Sequence, residues 1–285
     1  MRIYLGVILI VWGVTAMGGL PAFGQAPATQ PAEGAKEKLP DLTSDRPDFT
    51  ESPTTITPGH LQLESGYTFT YDDEKGHRVS EQTVPEFLLR IGVIKDLEFR
   101  TSWTGMSLVE DLFHEKNDAG RRVRREVHDD GATDITTGVK WHIADQEGLR
   151  PELALIGELS LPAGTDSKSS GDVDPQIKGI WSYDLTERLG LSGNVNFAVP
   201  TEESRRFFQT SASVSLGYSL TDQVGTFIEY FGFYPNARGS DCAHQVDGGF
   251  TFQITDNLQF DVRVGAGLNE EAPDFFTGAG VVIRL

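Results

Sequence analysis

From about His60 to Leu285 the chain repeats one pattern, in which segments of about ten residues alternate apolar with polar side chains and are separated by polar or glycine-containing breaks. A period of two puts successive side chains on opposite faces of a strand. About ten residues is also the length a tilted strand needs to cross a bilayer. In the last segment but one, Leu258, Phe260, Val262, Val264, Ala266 and Leu268 share a face opposite Gln259, Asp261, Arg263, Gly265 and Gly267. Leu153, Leu155, Gly157, Leu159 and Leu161 stand opposite Glu152, Glu158 and Ser160, and Ile135, Thr137, Val139, Trp141 and Ile143 opposite Asp134, Lys140 and His142.

About twelve such segments are expected, near 60–71, 82–94, 96–105, 132–144, 150–161, 174–184, 187–199, 207–219, 222–233, 243–254, 257–268 and 275–285. Short polar turns fall at 95–96, 144–148, 185–187, 221–222 and 255–256, and long polar loops at 72–81, 106–131, 162–173, 200–206, 234–242 and 269–274. The strict alternation of short and long connections predicts an all-β fold, a transmembrane antiparallel up-and-down β-barrel with short periplasmic turns and longer external loops. It places the protein in a bacterial outer membrane with both termini periplasmic. A soluble sandwich would not need every second connection to be short. Outward aromatics fall in two belts, Trp141, Trp181, Tyr183 and Tyr218 toward the short turns and Phe69, Tyr71, Trp103, Phe197 and Tyr230 toward the long loops, as side chains at two lipid–water boundaries do.

Ahead of the barrel, Arg2 followed by the apolar run Ile3–Met17 and then Gly18, Gly19, Ala22 and Gly24 reads as a cleaved signal peptide over residues 1–24. Residues 25–42 read as a flexible periplasmic leader, rich in Ala, Pro and charge, and 43–285 as the barrel. The single Cys242 excludes an intrachain disulfide. A mean hydropathy of −0.27 is far below that of a helical membrane protein but suits a barrel, which hides its apolar residues by alternation. A formal net charge of −18 argues against nucleic acid as a partner. The expected partners are outer-membrane lipid, lipopolysaccharide and a small-molecule solute, with no cofactor.

Asp45-Arg46-Pro47-Asp48, then Thr50-Glu51-Ser52, a Pro58-Gly59 turn and the strand Gln62 to Gly66 (Gln-x-Glu-x-Gly) form an opening that resembles the phenol meta-pathway degradation family of transporter-like outer-membrane proteins. Leu161-Pro162-Ala163-Gly164 and Asp174-Pro175 before Trp181-Ser182-Tyr183 extend the resemblance over about 43–285. It implies an outer-membrane barrel and uptake of small compounds, aromatic or hydrophobic ones among them. Leu285 departs from the aromatic residue with which such barrels usually end, which reads as a weaker assembly signal on the same fold.

The polar face expected to line the lumen carries Glu64, Glu86, Arg90, Glu98, Arg100, Asp134, Lys140, Glu152, Glu158, Lys178, Glu229, Asp247, Asp261, Arg263 and Arg284. Charges of both signs there imply enclosed water, mutual pairing, or both, since Arg or Lys against hydrocarbon costs about 2–4 kcal/mol at the midplane. An open pore and a lumen plugged by cross-lumen ion pairs are both compatible with this bore. In the 106–131 loop, Leu108–Phe113 could form a helical turn or two. Arg121, Arg122, Arg124 and Arg125 form a basic cluster there, read as a lid, a contact to lipopolysaccharide phosphates, or charges on a solvated loop or extended strand ends. Asp45, Asp48 and Glu51 are read as fixing the barrel entry. No catalytic set is evident around outward-facing His244, and His114, His128, Asp129 and Asp130 lack a metal-ligand spacing. The functional expectation is a passive channel for small organic solutes, against two alternatives: a structural or adhesive barrel with a closed lumen, and an outer-membrane hydrolase.

Overall fold

The computed structural model describes residues 39–116, 121–202, 204–236 and 239–285. The predicted signal peptide and residues 25–38 of the predicted leader lie outside the described residues. The alternating segments form strands β1 (Leu61–Glu74), β2 (His77–Ile94), β3 (Leu97–Trp103), β4 (Met106–Lys116), β5 (Arg122–Ala132), β6 (Ile135–Ala144), β7 (Glu152–Leu161) and β8 (Asp174–Asp184). They continue as β9 (Leu189–Ala198), the two-residue pair β10 (Thr201–Glu202) and β11 (Arg205–Arg206), β12 (Phe208–Ser219), β13 (Val224–Asn236), β14 (Ala243–Thr255), β15 (Leu258–Gly267) and β16 (Phe275–Arg284).

Twelve of these strands, β1–β3, β6–β9 and β12–β16, pair antiparallel into a closed barrel. Closure is by β1 on β16, in register from Gln62–Arg284 to Tyr71–Phe275. The last residue extends the ladder, because Leu61 N donates to Leu285 O at 3.2 Å and Leu285 N to Leu61 O at 2.8 Å. A terminal leucine therefore seals the barrel through its backbone.

The two faces separate as the alternation requires. Phe260, Val262 and Val264 are exposed on the outside of β15, while Gln259 and Asp261 are buried on its inside. Trp141 (54% exposed), Ile228 (59%), Phe197 and Leu216 continue an apolar exterior around the barrel. An apolar surface that encircles a protein is stable only against hydrocarbon. The inner face is not uniformly polar, since Ala154, Ile156 and Ile180 form a small buried cluster on it. Ala154 and Ile156 share the face that the alternation gives to Glu152 and Glu158, so they lie inside although apolar, and Ile180 meets them from β8, opposite Ala154.

Two predicted loops are long hairpins of strand, and a third, 200–206, holds the short pair β10–β11. The 72–81 region is a hairpin in which β1 and β2 run on to a two-residue turn at Lys75–Gly76, both with positive φ (53° and 87°). The 106–131 region is a second hairpin, β4 on β5, and β4 also pairs with Arg78–Val84 of β2, so it continues the wall beyond β3. No helical turn forms at Leu108–Phe113, which lies within β4. Leu108 and Leu112, like Val109 and Phe113, are four apart, a spacing that a strand face and a helix face both satisfy. Beyond the bilayer neither face meets hydrocarbon, so the alternation that betrays a strand fades. Arg122, Arg124 and Arg125 are exposed on β5, as side chains of an extended strand.

Candidate functional site

Residues 39–60 run inside the barrel. The segment starts at the short-turn end, where Arg284 donates to Pro40 O at 2.7 Å and also to Asp256 O and Asn257 Oδ1. It reaches the middle of β13, where Phe49 N and Thr50 N donate to the Glu229 carboxylate at 2.6 and 2.7 Å. It then returns, with Ile56 N donating to Glu98 Oε2 at 3.1 Å and Gly59 N to Gly92 O at 3.0 Å. Leu42 and Pro47 are buried, and Leu39–Leu42, read from sequence as the end of the leader, belongs to this docked segment.

The two halves of the opening motif meet each other. Gln62 Nε2 donates to Thr43 O at 3.0 Å, and the Glu64 carboxylate accepts from Asp45 N at 3.1 and 3.2 Å. Gly66, the third member of Gln-x-Glu-x-Gly, faces Gly280 across the β1–β16 ladder. A Cβ on Gly66 would lie 2.3 Å from Arg46 Nη2, and one on Gly280 2.3 Å from Arg46 Nε. The glycine pair thus forms a slot for the Arg46 guanidinium, which pairs with Glu86 at 2.9 Å and Asp261 at 3.5 Å.

One side of the segment neutralises a set of wall cations. Asp45 accepts from Lys140 Nζ at 2.8 and 2.9 Å and from Arg100 at 3.1 Å, with Arg90 at 3.5 Å. Glu51 accepts from Arg100 at 2.8 Å and Lys178 at 2.5 Å. Wall acids complete the network, Glu158 on Arg100 (2.9 Å) and Lys178 (3.0 Å), Glu64 on Arg90 (3.2 Å) and Glu98 on Arg90 (2.8 Å). Burial alone would raise the Asp45 carboxyl, but Arg90, Lys140 and Arg100 outweigh it and hold it well below the usual carboxylate range. Glu51 is likewise lowered, with Arg100 and Lys178 overcoming burial. Buried charges in such a site need their partners, and removing one leaves the others stranded.

The opposite side is acidic and aromatic. Thr50 Oγ1 bonds Ser213 Oγ at 2.6 Å and also Glu229, and Ser215 Oγ donates to Asp48 at 3.2 Å. Burial, with the nearby Glu229 carboxylate adding to it, pushes the Asp48 carboxyl well above its usual range. Phe49 stacks on Phe231 with centroids 4.9 Å apart and planes 8° apart, and meets Phe233 edge-on at 5.4 Å. Arg263 lies over the Phe276 ring at 5.5 Å, with Asp247 at 3.9 Å. On the short-turn side of the segment, a cavity of about 670 Å³ opens between Asp41–Thr54 and the ends of β8, β9, β12 and β13. A second cavity, of about 240 Å³, lies beside Gln62, His142 and Arg284.

Of the residues predicted for the lumen, Glu64, Arg90, Glu98, Arg100, Lys140, Glu158, Glu229, Asp247, Asp261 and Arg284 are buried, and Glu86, Lys178 and Arg263 are half-buried in the same interior. Glu152 sits lower, between His142 Nδ1 (3.5 Å) and Ser182 Oγ (3.2 Å) at the short-turn end. Asp134 is placed elsewhere. It sits at the long-loop rim, accepting from Gly164 N and Ser170 N at 2.9 Å each, and organises the 162–173 loop. The family-motif residues Asp45, Arg46, Pro47, Asp48, Thr50, Glu51 and Ser52 all lie in the re-entrant segment, and Ser52 N donates to Asp45 Oδ1 at 3.0 Å, tying its two limbs together. Phe49, Phe231, Phe233 and Phe276 were missed. Phe231 and Phe233 sit among apolar neighbours on both faces of β13, and nothing local to Phe49 marks it as a lumen residue. His244 Nδ1 bonds Tyr230 OH at 2.7 Å. Among the described residues, no group of three or more His, Cys, Asp and Glu side chains is placed to hold a metal ion.

The fold is shared with solved barrels of low sequence identity. An outer membrane channel from Pseudomonas putida F1 superposes with a TM-score of 0.54 at 14% identity, covering 81% of this chain and 97% of that one. The translocator domain of the autotransporter NalP from Neisseria meningitidis gives a TM-score of 0.51 at 9% identity, covering 79% and 88%. No curated protein sequence matches the chain. The family model described as "Putative MetA-pathway of phenol degradation" matches residues 44–285, which begin inside the re-entrant segment and run through the last strand, and the chain belongs to that family.

Proposed function

We propose that the protein is an outer-membrane channel through which small organic solutes diffuse passively, gated by the re-entrant segment 39–60. The observation that carries this reading is that a closed barrel with an apolar exterior holds, in its charged interior, a segment attached by ion pairs and hydrogen bonds rather than by strand pairing. Contacts of that kind can be exchanged for water and solute without unfolding the wall. The passage is lined by Glu64, Glu86, Arg90, Glu98, Arg100, Lys140, Glu152, Glu158, Lys178, Glu229, Asp247, Asp261, Arg263 and Arg284. The short turns and both ends of the barrel chain face the periplasm, and the β4–β5 hairpin projects outward, where Arg122, Arg124 and Arg125 meet lipopolysaccharide phosphates. The similar channel from Pseudomonas putida F1 is in keeping with this reading, and the family description is consistent with a small aromatic cargo. Channel activity, rather than hydrolysis, is the function proposed for this barrel.

The buried ion pairs also fit a permanently closed, structural barrel, and one experiment separates the two. Planar-bilayer conductance is measured for the full chain and for a variant lacking 43–56. A channel gives small or intermittent currents for the full chain and larger, steady ones for the deletion. Absence of current from both, in protein that shows the heat-dependent gel shift of a folded barrel, would overturn the channel reading.

A further inference from the structure

Phe49 is the large apolar side chain at the tip of the segment, where the neighbouring contacts are polar. Its ring lies against Phe231 at 4.9 Å with the planes nearly parallel, and Phe233 closes the edge at 5.4 Å. Phe231 is itself braced edge-on by Phe276 at 6.1 Å, and Arg263 caps that ring. Gly265, opposite Phe276 in the β15–β16 ladder, leaves the space this ring fills, because a Cβ there would lie 2.1 Å from its Cζ. The wall therefore supplies a built aromatic seat of three rings, and the fourth ring, from the segment, occupies it. Phe49 and Phe233 are half-buried, whereas Phe231 and Phe276 are buried behind them. The seat's outer edge, formed by Phe49 and Phe233, is thus part-exposed.

We infer that this seat is a binding site for the aromatic ring of a small neutral solute, that Phe49 occupies it as an internal stand-in, and that a solute taking the face of Phe231 displaces Phe49 and loosens the segment. The inference rests on the channel reading above and names where its cargo is recognised. Planar rings favour the stacked and edge-on contacts that this seat offers, and a saturated ring of equal size forfeits them. The adjoining backbone contacts transmit the change. Phe49 N and Thr50 N both donate to Glu229, so moving the ring strains the two bonds that hold the segment's tip. Competition between a tethered ring and a free one is an exchange of like contacts, which keeps the seat's affinity low and suits passage rather than retention.

The test uses the folded full chain in one detergent and benzyl alcohol as the probe, titrated by the line broadening of its proton resonances. Phe49→Leu keeps the tip apolar but withdraws the competing ring, and should bind benzyl alcohol about two- to tenfold more tightly than the wild type, the range spanned by one aromatic pair. Adding Phe231→Leu should abolish that gain, and cyclohexylmethanol should not discriminate among the three proteins. In bilayers, benzyl alcohol should raise the open fraction of wild-type channels saturably while cyclohexylmethanol does not. Equal benzyl alcohol affinity in wild type, single and double variants, each verified by its heat-dependent gel shift, would overturn the inference even if the protein conducts. Absence of conductance from every variant would instead reject the channel reading, while the titration still decides the seat.

Discussion

Gly66 and Gly280 matter because an arginine from elsewhere in the chain lies where their side chains would be. Gly280→Ala should expel Arg46 and strip Asp261, whose side chain is fully buried, of its partner, at about 1–3 kcal/mol. The temperature of the heat-induced gel shift reads this loss. In an Arg46→Ala background the same alanine should cost almost nothing, and an equal cost in both backgrounds would show that the slot is not what the glycine provides. Asp45→Ala is expected to be harsher, about 3–5 kcal/mol in urea unfolding from bilayers, because buried Lys140 keeps, among the described residues, only the Ser52 carbonyl as a close partner. Protonation acts on the same contacts with two signs. Asp45 and Glu51 have lowered carboxyls, so their contribution to docking is present above the ordinary carboxylate range, near pH 4, and is lost as pH falls through their lowered values. Asp48 is raised, so its contribution is full below its ordinary range and is lost as pH rises through the raised value. Conductance of the wild type should therefore increase on alkalinisation, and Asp48→Asn should flatten that rise. An unaltered slope would remove Asp48 from the account.

At the scale of elements, the strands that touch hydrocarbon were legible and those that do not were not. The alternation of β15 assigned each of Phe260, Asp261 and Val262 to its face because one face meets lipid and the other a polar interior. The β4–β5 hairpin meets water on both sides, so its sequence reads as a loop. The charged side chains of 39–60 were legible as a motif but not as an interior, because their partners come from β2, β3, β6, β8 and β15, far away in sequence. The hairpin continues the wall through its pairing with β2, which argues against a lid folded into the mouth. Replacing residues 109–128 by Asn-Gly should leave both the gel shift and the single-channel conductance unchanged, since β3 and β6 still pair from Leu97–Trp141 to Trp103–Ile135. A conductance increase would restore the lid.

Across the whole molecule, a twelve-strand bore is wide enough that side chains alone do not fill it, and here the chain's own opening segment occupies the middle. The wall supplies cations on one side and carboxylates with aromatic rings on the other, and the segment carries the complement of each, Asp45 and Glu51 toward the first, Phe49 and Thr50 toward the second. Docking is thereby specified by several distant strands at once, so displacement at one contact leaves the others to return the segment to its place. That division, a covalently continuous wall and a non-covalently held core, is what the proposed gating rests on. Thr50 Oγ1 and Ser213 Oγ are 2.6 Å apart, so a cysteine pair at these positions can tether the segment to β12, with Cys242 replaced by serine to leave no third thiol. Planar-bilayer conductance of this variant, oxidised and then reduced on the same membrane, tests the gate directly. The account predicts a low conductance that rises when the tether is reduced, and an identical conductance in both states, with the disulfide verified, would contradict it.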